Sequence, residues 1–431
     1  MKISRRDFLK TAAAAAATTG LLAGCGGSAG SGAGSAASPA VPTAEPTPSP
    51  TPSPTPEPPY DADVLTGEQR AADAPDSRII AIMVNNISNN STNDARPQRG
   101  LSSAKMLMEI KVEGGITRFC ALFDNVADIP EIGPIRSGRD QFLQLILPWQ
   151  AIYYHDGESV FCTRFIKDWE YWDYNLGGKT WFDTPTHAIV SHRDSRGRNV
   201  ALEHTEFTSG DEIQKAIDNA GIDMTREYNS KFFVFADYRY NEYNALDGGE
   251  EATSVTLRHS SSYRTYFAYD DASKLYKMSQ YSLASRSVAD SVDELSGEQL
   301  AFTNLVVLFT EIAAYPGDSH DIQKVDYDFG GVGYYFTNGR TKKIGWKKGS
   351  PASGLVIYDY DIGESEQIMV NIGKTYLSVI DLDEYAGFSY SGPEAPASSD
   401  DLSDAGSGTA ANDNGDEQET SDSAAASIKT S

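Results

Sequence analysis

Cysteine is scarce in this chain of 431 residues, with only Cys25, Cys120 and Cys162 present. Three thiols exclude the dense disulfide framework of small secreted scaffolds. No C-x-x-C, H-E-x-x-H or EF-hand loop occurs, so no metal motif is recognised, and neither a metal nor any other cofactor is expected. Basic residues are also few, 36 Lys and Arg against 61 Asp and Glu, which gives a formal charge of −25. Of that charge, −14 falls on residues 78–390. Such a body does not gather nucleic acid or anionic lipid by its bulk field, and any anion it holds must meet a local basic site. Long hydrophobic runs are missing too. The Ala- and Thr-rich stretch 11–24 is shorter than the roughly 20 apolar residues of a spanning helix.

What the N-terminus does carry is an export address. Ser4-Arg5-Arg6-Asp7-Phe8-Leu9-Lys10 followed by a weakly apolar segment reads as a twin-arginine signal, and Leu22-Ala23-Gly24-Cys25 reads as a lipoprotein processing site. The expectation is a protein lipidated on Cys25 and held outside the cytoplasm on the bacterial cell membrane. Twin-arginine cargo folds before it crosses, in a reducing compartment, so Cys120 and Cys162 are expected as free, buried thiols.

Composition divides the chain further. Residues 1–25 are the signal peptide, and 26–77 are a Pro-, Ser- and Thr-rich spacer expected to be disordered for want of apolar surface. Residues 78–245 form an N-terminal α+β part and 246–388 a mainly β part. The acidic stretch 389–431 is expected to be a disordered tail. Within the first part, the apolar run 78–84 predicts a buried strand and 85–99 a polar loop. Strands at 106–112 and 116–123 are predicted around the turn Glu113-Gly114-Gly115, the first of them alternatively the end of a helix starting near Leu101. Helices are predicted over 137–147, ended by Pro148, and over 210–220, with a strand at 151–154. After about Asn244 come short runs rich in Tyr, Val, Ile and Thr, with Asn338-Gly339 a hairpin signal. The fold class expected is α+β, a layered mixed sheet with helices in the first half and a mainly β second half.

Asn85-Asn86, Ala95-Arg96-Pro97-Gln98-x-Gly100-Leu101, Glu109, Glu113-Gly114-Gly115-Ile116-Thr117-Arg118 and Gly133-Pro134-Ile135-Arg136-Ser137-x-Arg139 resemble the opening of the YerB-like lipoprotein family. Gly331-Val332-Gly333, Asn338-Gly339, Trp346-Lys347-Lys348 and Gly373-Lys374-Thr375 resemble its second half. The resemblance spans most of 78–385 and is weakest between about Ser159 and Ala201. It implies an α+β layered fold and a bacterial envelope lipoprotein, and brings no settled biochemical activity with it. Where members tend to show Pro-His-Asn, this chain has Glu203-His204-Thr205, so His204 is a candidate ligand-binding residue in an altered context.

Two constellations carry candidate chemistry. Arg96, Arg99, Arg118, Arg136 and Arg139 concentrate basic charge in an acidic chain, and guanidinium groups bind phosphate or carboxylate bidentately. Arg96, Arg118, Arg136 and Arg139 are therefore candidate ligands for an anionic wall polymer or an envelope protein. The alternative is that these arginines pair with Glu109, Glu113 and Asp140 and lock the loop 85–99 onto the hairpin. His155-Asp156-Gly157-Glu158-Ser159 follows a predicted strand, and His155 and Glu158, with Asp156 beside them, are the candidate catalytic groups, with Ser159 or Cys162 as a nucleophile; His155 is also a candidate ligand-binding residue. A helix N-cap explains Gly-x-Ser equally well. His187 and His192 are at the wrong interval to share a helical face and a metal. The run 168–174, with Trp181-Phe182, interleaves rings and acids as a glycan groove does, or fills a core. The leading expectation is a noncatalytic binding or scaffold lipoprotein, with a wall-acting hydrolase or transferase as the alternative.

Overall fold

The computed structural model describes residues 61–391 except 72, 73, 75, 178–185 and 226–231. The signal peptide, Cys25, most of the spacer, all but the first residues of the tail, and Trp181-Phe182 lie outside those residues.

A mixed sheet of eleven strands organises the chain. From the first half come β1 (Ile80–Asn85), β2 (Met106–Lys111), β3 (Thr117–Phe123), β4 (Ile152–Tyr154) and β5 (Asn175–Leu176). The second half supplies β6 (Ser254–Arg258), β7 (Arg264–Asp270) and β8 (Leu275–Ser282) to a separate sheet. It then returns to the main sheet with β9 (Asn304–Thr310), β10 (Gly331–Thr337), β11 (Arg340–Lys347), β12 (Val356–Asp359) and β13 (Thr375–Asp381). The main-sheet order is β12-β11-β10-β9-β13-β2-β3-β1-β4-β5, with Glu250–Glu251 paired to β11. Parallel pairing of β13 with both β2 and β9 joins the two stretches into one sheet.

Burial explains the sequence texture. β1, β9 and β13 are buried at every residue because both faces of the sheet are covered, and β1 and β9 read as near-continuous apolar runs. β6 alternates buried and half-buried residues, as a strand with one wet face does. On one face of the main sheet, Met106, Met108, Leu308 and Leu377 pack with Phe142, Leu143 and Ile146 of helix α1 (Asp140–Ile146) and with Cys162 and Ile166 of α2 (Val160–Asp168). On the other face, Leu107, Phe119 and Val307 pack against Val255, Phe267 and Met278 of the second sheet. Ile213 and Ile217 of α3 (Gly210–Ala220) join that second cluster. The architecture is α+β, as read.

Several boundaries shift. Instead of a helix ending in β2, Leu101–Ser103 makes a single 3-10 turn before the strand. The body starts upstream of the composition change at 78, because Leu65 is fully buried in the core. At the other end, Ser389–Ser391 pairs with β6. Helix α2 and strand β8, which the sequence reading leaves unassigned, are both regular elements. Cys120 and Cys162 are free and buried. Of the aromatic run, Tyr171 is buried and Trp169, Trp172 and Tyr174 pack partly buried on the core.

Candidate functional site

Strands β1, β2, β4, β5, β9 and β13 all run in one direction, since β1 is parallel to β4, β4 to β5, β2 to β13 and β13 to β9, while β3 reverses between β1 and β2. Their carboxyl ends share one edge, where open α/β sheets place ligands. That edge brings together the residues singled out in sequence: Asn85 ends β1 and Asn86 follows it, Glu113 follows β2, His155 follows β4, and Arg118 pairs in register with Asn85.

On the helix-bearing side, Arg118 and Arg139 converge on Glu113. Arg118 Nη2 donates to Glu113 Oε1 at 3.1 Å and Arg139 Nε donates to Oε2 at 2.9 Å, with Arg139 Nη2 also on Oε1. Both guanidinium groups are buried. Arg118 also donates to the Ser137 carbonyl at 2.7 Å.

On the second-sheet side, Glu109 is fully buried among neutral donors. Its Oε1 accepts from Thr117 at 2.7 Å, Asn86 at 3.1 Å and Gln280 at 3.1 Å; its Oε2 accepts from the Tyr376 hydroxyl at 2.6 Å and Thr265 at 2.9 Å. Arg96 reaches this network through Asn86, donating from Nε to Asn86 Oδ1 at 2.9 Å and from Nη1 to the Tyr281 carbonyl at 2.8 Å. Asp140, the third acid, accepts from the Tyr315 hydroxyl at 2.7 Å, and burial pushes its carboxyl up.

The His155 segment is closed. Nδ1 of the imidazole donates to the Gly157 carbonyl at 2.6 Å, and Nε2 lies 2.8 Å from Asn175 Oδ1. Glu158 stands 3.8 Å from Nδ1, and burial raises its carboxyl. Gly177 permits this contact, because a Cβ there would lie 2.9 Å from both Glu158 Oε2 and His155 Cε1. Ser159 is the N-cap of α2, its hydroxyl accepting from the Cys162 amide at 3.2 Å. Burial lifts the Cys162 thiol well above its ordinary range, away from the thiolate a nucleophile needs.

At the rim, Arg136 lies 3.5 Å from Glu203, with its side chain 13% exposed. His204 is buried, its Nδ1 accepting from Asn85 Nδ2 at 3.1 Å and its Nε2 lying 2.6 Å from Asn93 Oδ1. The fold thus gathers Arg118, Arg136, Arg139, His155, Glu158 and His204 at one edge, with Arg96 on the far side of the sheet from Glu113. His192 lies apart from His187, between Glu212 at 3.0 Å and Glu131 at 3.2 Å; burial opposes its charge, but the two carboxylates outweigh it and raise the imidazole. Among the described residues no group of His, Cys, Asp and Glu fits a metal ion.

Two carboxyl pairs escape sequence reasoning. Glu206 accepts from Ser191 at 2.6 Å and Arg193 at 2.9 Å; burial, then the adjoining Asp156, pushes it up to about 7. At the opposite edge, burial and the neighbouring Asp124 push Asp63 up to about 7, against Lys105 at 3.9 Å. Neither pair is close in sequence, so only the fold reveals them.

The comparisons with known proteins agree with this architecture. Residues 65–223 match the family described as "Protein of unknown function (DUF3048) N-terminal domain", and residues 254–377 match its C-terminal domain. Residues 2–21 match the twin-arginine translocation pathway signal sequence. The Bacillus subtilis (strain 168) protein named "Putative lipoprotein YerB" is 26% identical over 331 residues, 74% of this chain and 86% of its own length. The crystal structure of YerB protein from Bacillus subtilis shares the fold, with a TM-score of 0.60 at 23% identity over 77% of this chain and 99% of that one. With both halves matched in order behind an export signal, the chain belongs to the YerB-like, two-part DUF3048 family of lipoproteins.

Proposed function

We propose that this exported lipoprotein is a binding module, anchored through lipid on Cys25 to the outer face of the cell membrane, that holds an anionic wall component or an envelope protein at the carboxyl edge of its sheet. One observation carries the reading: the groups a hydrolase needs are occupied inside the fold, with His155 enclosed, Ser159 capping a helix and Cys162 buried. Arg118 and Arg139 then act as scaffold behind the edge, and the rim arginines Arg136 and Arg193 meet the partner. The mature lipoprotein in detergent is expected to co-sediment with cell-wall sacculi carrying teichoic acid. Replacing both Arg136 and Arg193 with Ala is expected to abolish co-sedimentation while melting stays near wild type. Retained binding overturns the assignment of the rim. Labelled palmitate is expected in the wild type and absent from Cys25→Ala.

The Asp156–Glu206 pair favours a second reading. A carboxyl that keeps its proton near neutral pH is a competent general acid. Muropeptides incubated with the protein are expected to keep their mass; cleavage that Glu206→Gln abolishes would establish the hydrolase instead.

A further inference from the structure

A cleft of about 420 Å³ lies at the opposite edge of the molecule, where the Asn338-Gly339 hairpin of the main sheet meets the second sheet. It is lined by Glu251, Thr253, Tyr269, Asp271, Asn338 and Arg340, together with Gly339. Its size is within the range of small-ligand sites. We propose that this cleft binds an uncharged glycan chain, with Tyr269 as the stacking platform. The proposal concerns a second site, independent of the carboxyl edge.

The walls are rigid. Arg340 pairs in register with Glu251, the Ala252 amide donates to the Gly339 carbonyl at 2.8 Å, and the Tyr269 amide donates to the Thr253 carbonyl at 2.8 Å. Tyr269 is half-buried, its ring 5.1 Å from that of the fully buried Tyr276 and its hydroxyl donating to Asn338 Oδ1 at 3.1 Å. Tyr276 in turn donates to the Ala252 carbonyl at 3.0 Å, so the platform rests on a fixed support. Gly339 has φ +68°, and a Cβ there would lie 2.8 Å from the Tyr269 ring, so any side chain would intrude on the platform. Tyr243, 56% exposed, and Lys274 are electrostatic neighbours of Tyr269 on the solvent side.

The chemistry of the lining selects the ligand class. An aromatic face packs on the C–H face of a sugar ring, and the surrounding carboxylates, amide, hydroxyl and guanidinium bond its hydroxyls. Glu251, Asp271 and Arg340 line the same cleft, and Lys274 lies 2.6 Å from Asp271. The local charges nearly cancel, with no excess of cation to collect a polyanion. A neutral chain rich in hydroxyls and acetamides meets every group in the lining.

The test uses the mature lipoprotein in detergent, titrated with chitohexaose, cellohexaose and maltohexaose by calorimetry, with teichoic acid as the anionic comparison. At least one neutral hexamer is expected to bind. Tyr269→Ala is expected to weaken it by tenfold or more, and Tyr269→Phe, which keeps the ring, by less than threefold. Should Tyr269→Ala fail to fold, nitration of the wild-type tyrosines read by peptide mass spectrometry keeps the question open to measurement: the bound hexamer is expected to protect Tyr269. No binding by any neutral hexamer at millimolar concentration, unchanged affinity in a folded Tyr269→Ala protein, or unprotected Tyr269 overturns the proposal. Teichoic acid displacing the neutral hexamer from this cleft overturns the ligand class.

Discussion

Glu109 and Glu113 lie four residues apart on one hairpin, yet face opposite sides of the sheet and are stabilised by different means. Glu113 meets two buried guanidinium groups, whereas Glu109 meets five neutral donors from Asn86, Thr117, Thr265, Gln280 and Tyr376. Glu206 and Asp63 show a third solution, retaining a proton beside a second carboxyl. A buried acid therefore signals a functional site only after its partners are known. At this edge, Arg118 and Arg139 bond Glu113, and His155 and His204 bond groups within the fold.

Replacing each acid separates these solutions. Glu113→Gln removes the charge on which Arg118 and Arg139 converge, and is expected to cost about 3–5 kcal/mol in urea unfolding. A cost near zero would break the comparison. The proton-retaining pairs come next. A carboxyl whose folded pKa is raised contributes stability that is complete below its unfolded value near 4 and is lost as pH rises through about 7. Stability is therefore expected to fall between about pH 4 and 7 and to level off above, and Asp63→Asn and Glu206→Gln each to recover roughly 2 kcal/mol at pH 8 and nothing below pH 4. Parallel pH profiles for wild type and both variants would remove the pairs from the account.

Glu109→Gln is expected to cost less than Glu113→Gln, about 1–2 kcal/mol, because the Thr265 and Tyr376 hydroxyls on Oε2 turn to accept from the new amide while Oε1 keeps its donors. An effect larger than that of Glu113→Gln would reverse the ranking. The smallest change is Ser159→Ala, about 1 kcal/mol for a lost N-cap. Wall co-sedimentation is expected to be untouched by it, as for a hydroxyl that only caps the helix.

Local signals made much of the fold legible. Glu113-Gly114-Gly115 marked the β2–β3 turn, and Gly114 and Gly115 take φ of 65° and 69° there. Helix α3 was visible from its stripe, reinforced by Ser209 at the N-cap and Gly221 just past the end. Helix α2 was hidden because only Cys162, Thr163 and Ile166 of its nine residues are buried, leaving no wide apolar stripe. Strand β8 was hidden because its buried positions include Tyr276, Met278 and Gln280 rather than β-branched residues. The site was legible as a list of residues and not as an arrangement. Arg118 and Arg139 stand out in sequence, but three of the five donors to Glu109, Thr265, Gln280 and Tyr376, arrive from more than 150 residues away. The glycine of the Asn338-Gly339 turn was read as a hairpin signal, and its second use, leaving room for the Tyr269 ring, depends on a strand from another sheet.

The placement of β13 constrains when this protein is made as well as how it stands. Its seven residues fill the gap between β2 and β9, so a nascent chain shorter than about 381 residues exposes two hydrogen-bonding edges that nothing else covers. The sheet closes only after residue 381 has been made. A transporter that accepts finished, folded cargo suits such a chain, because threading it unfolded across the membrane would postpone that closure to the far side.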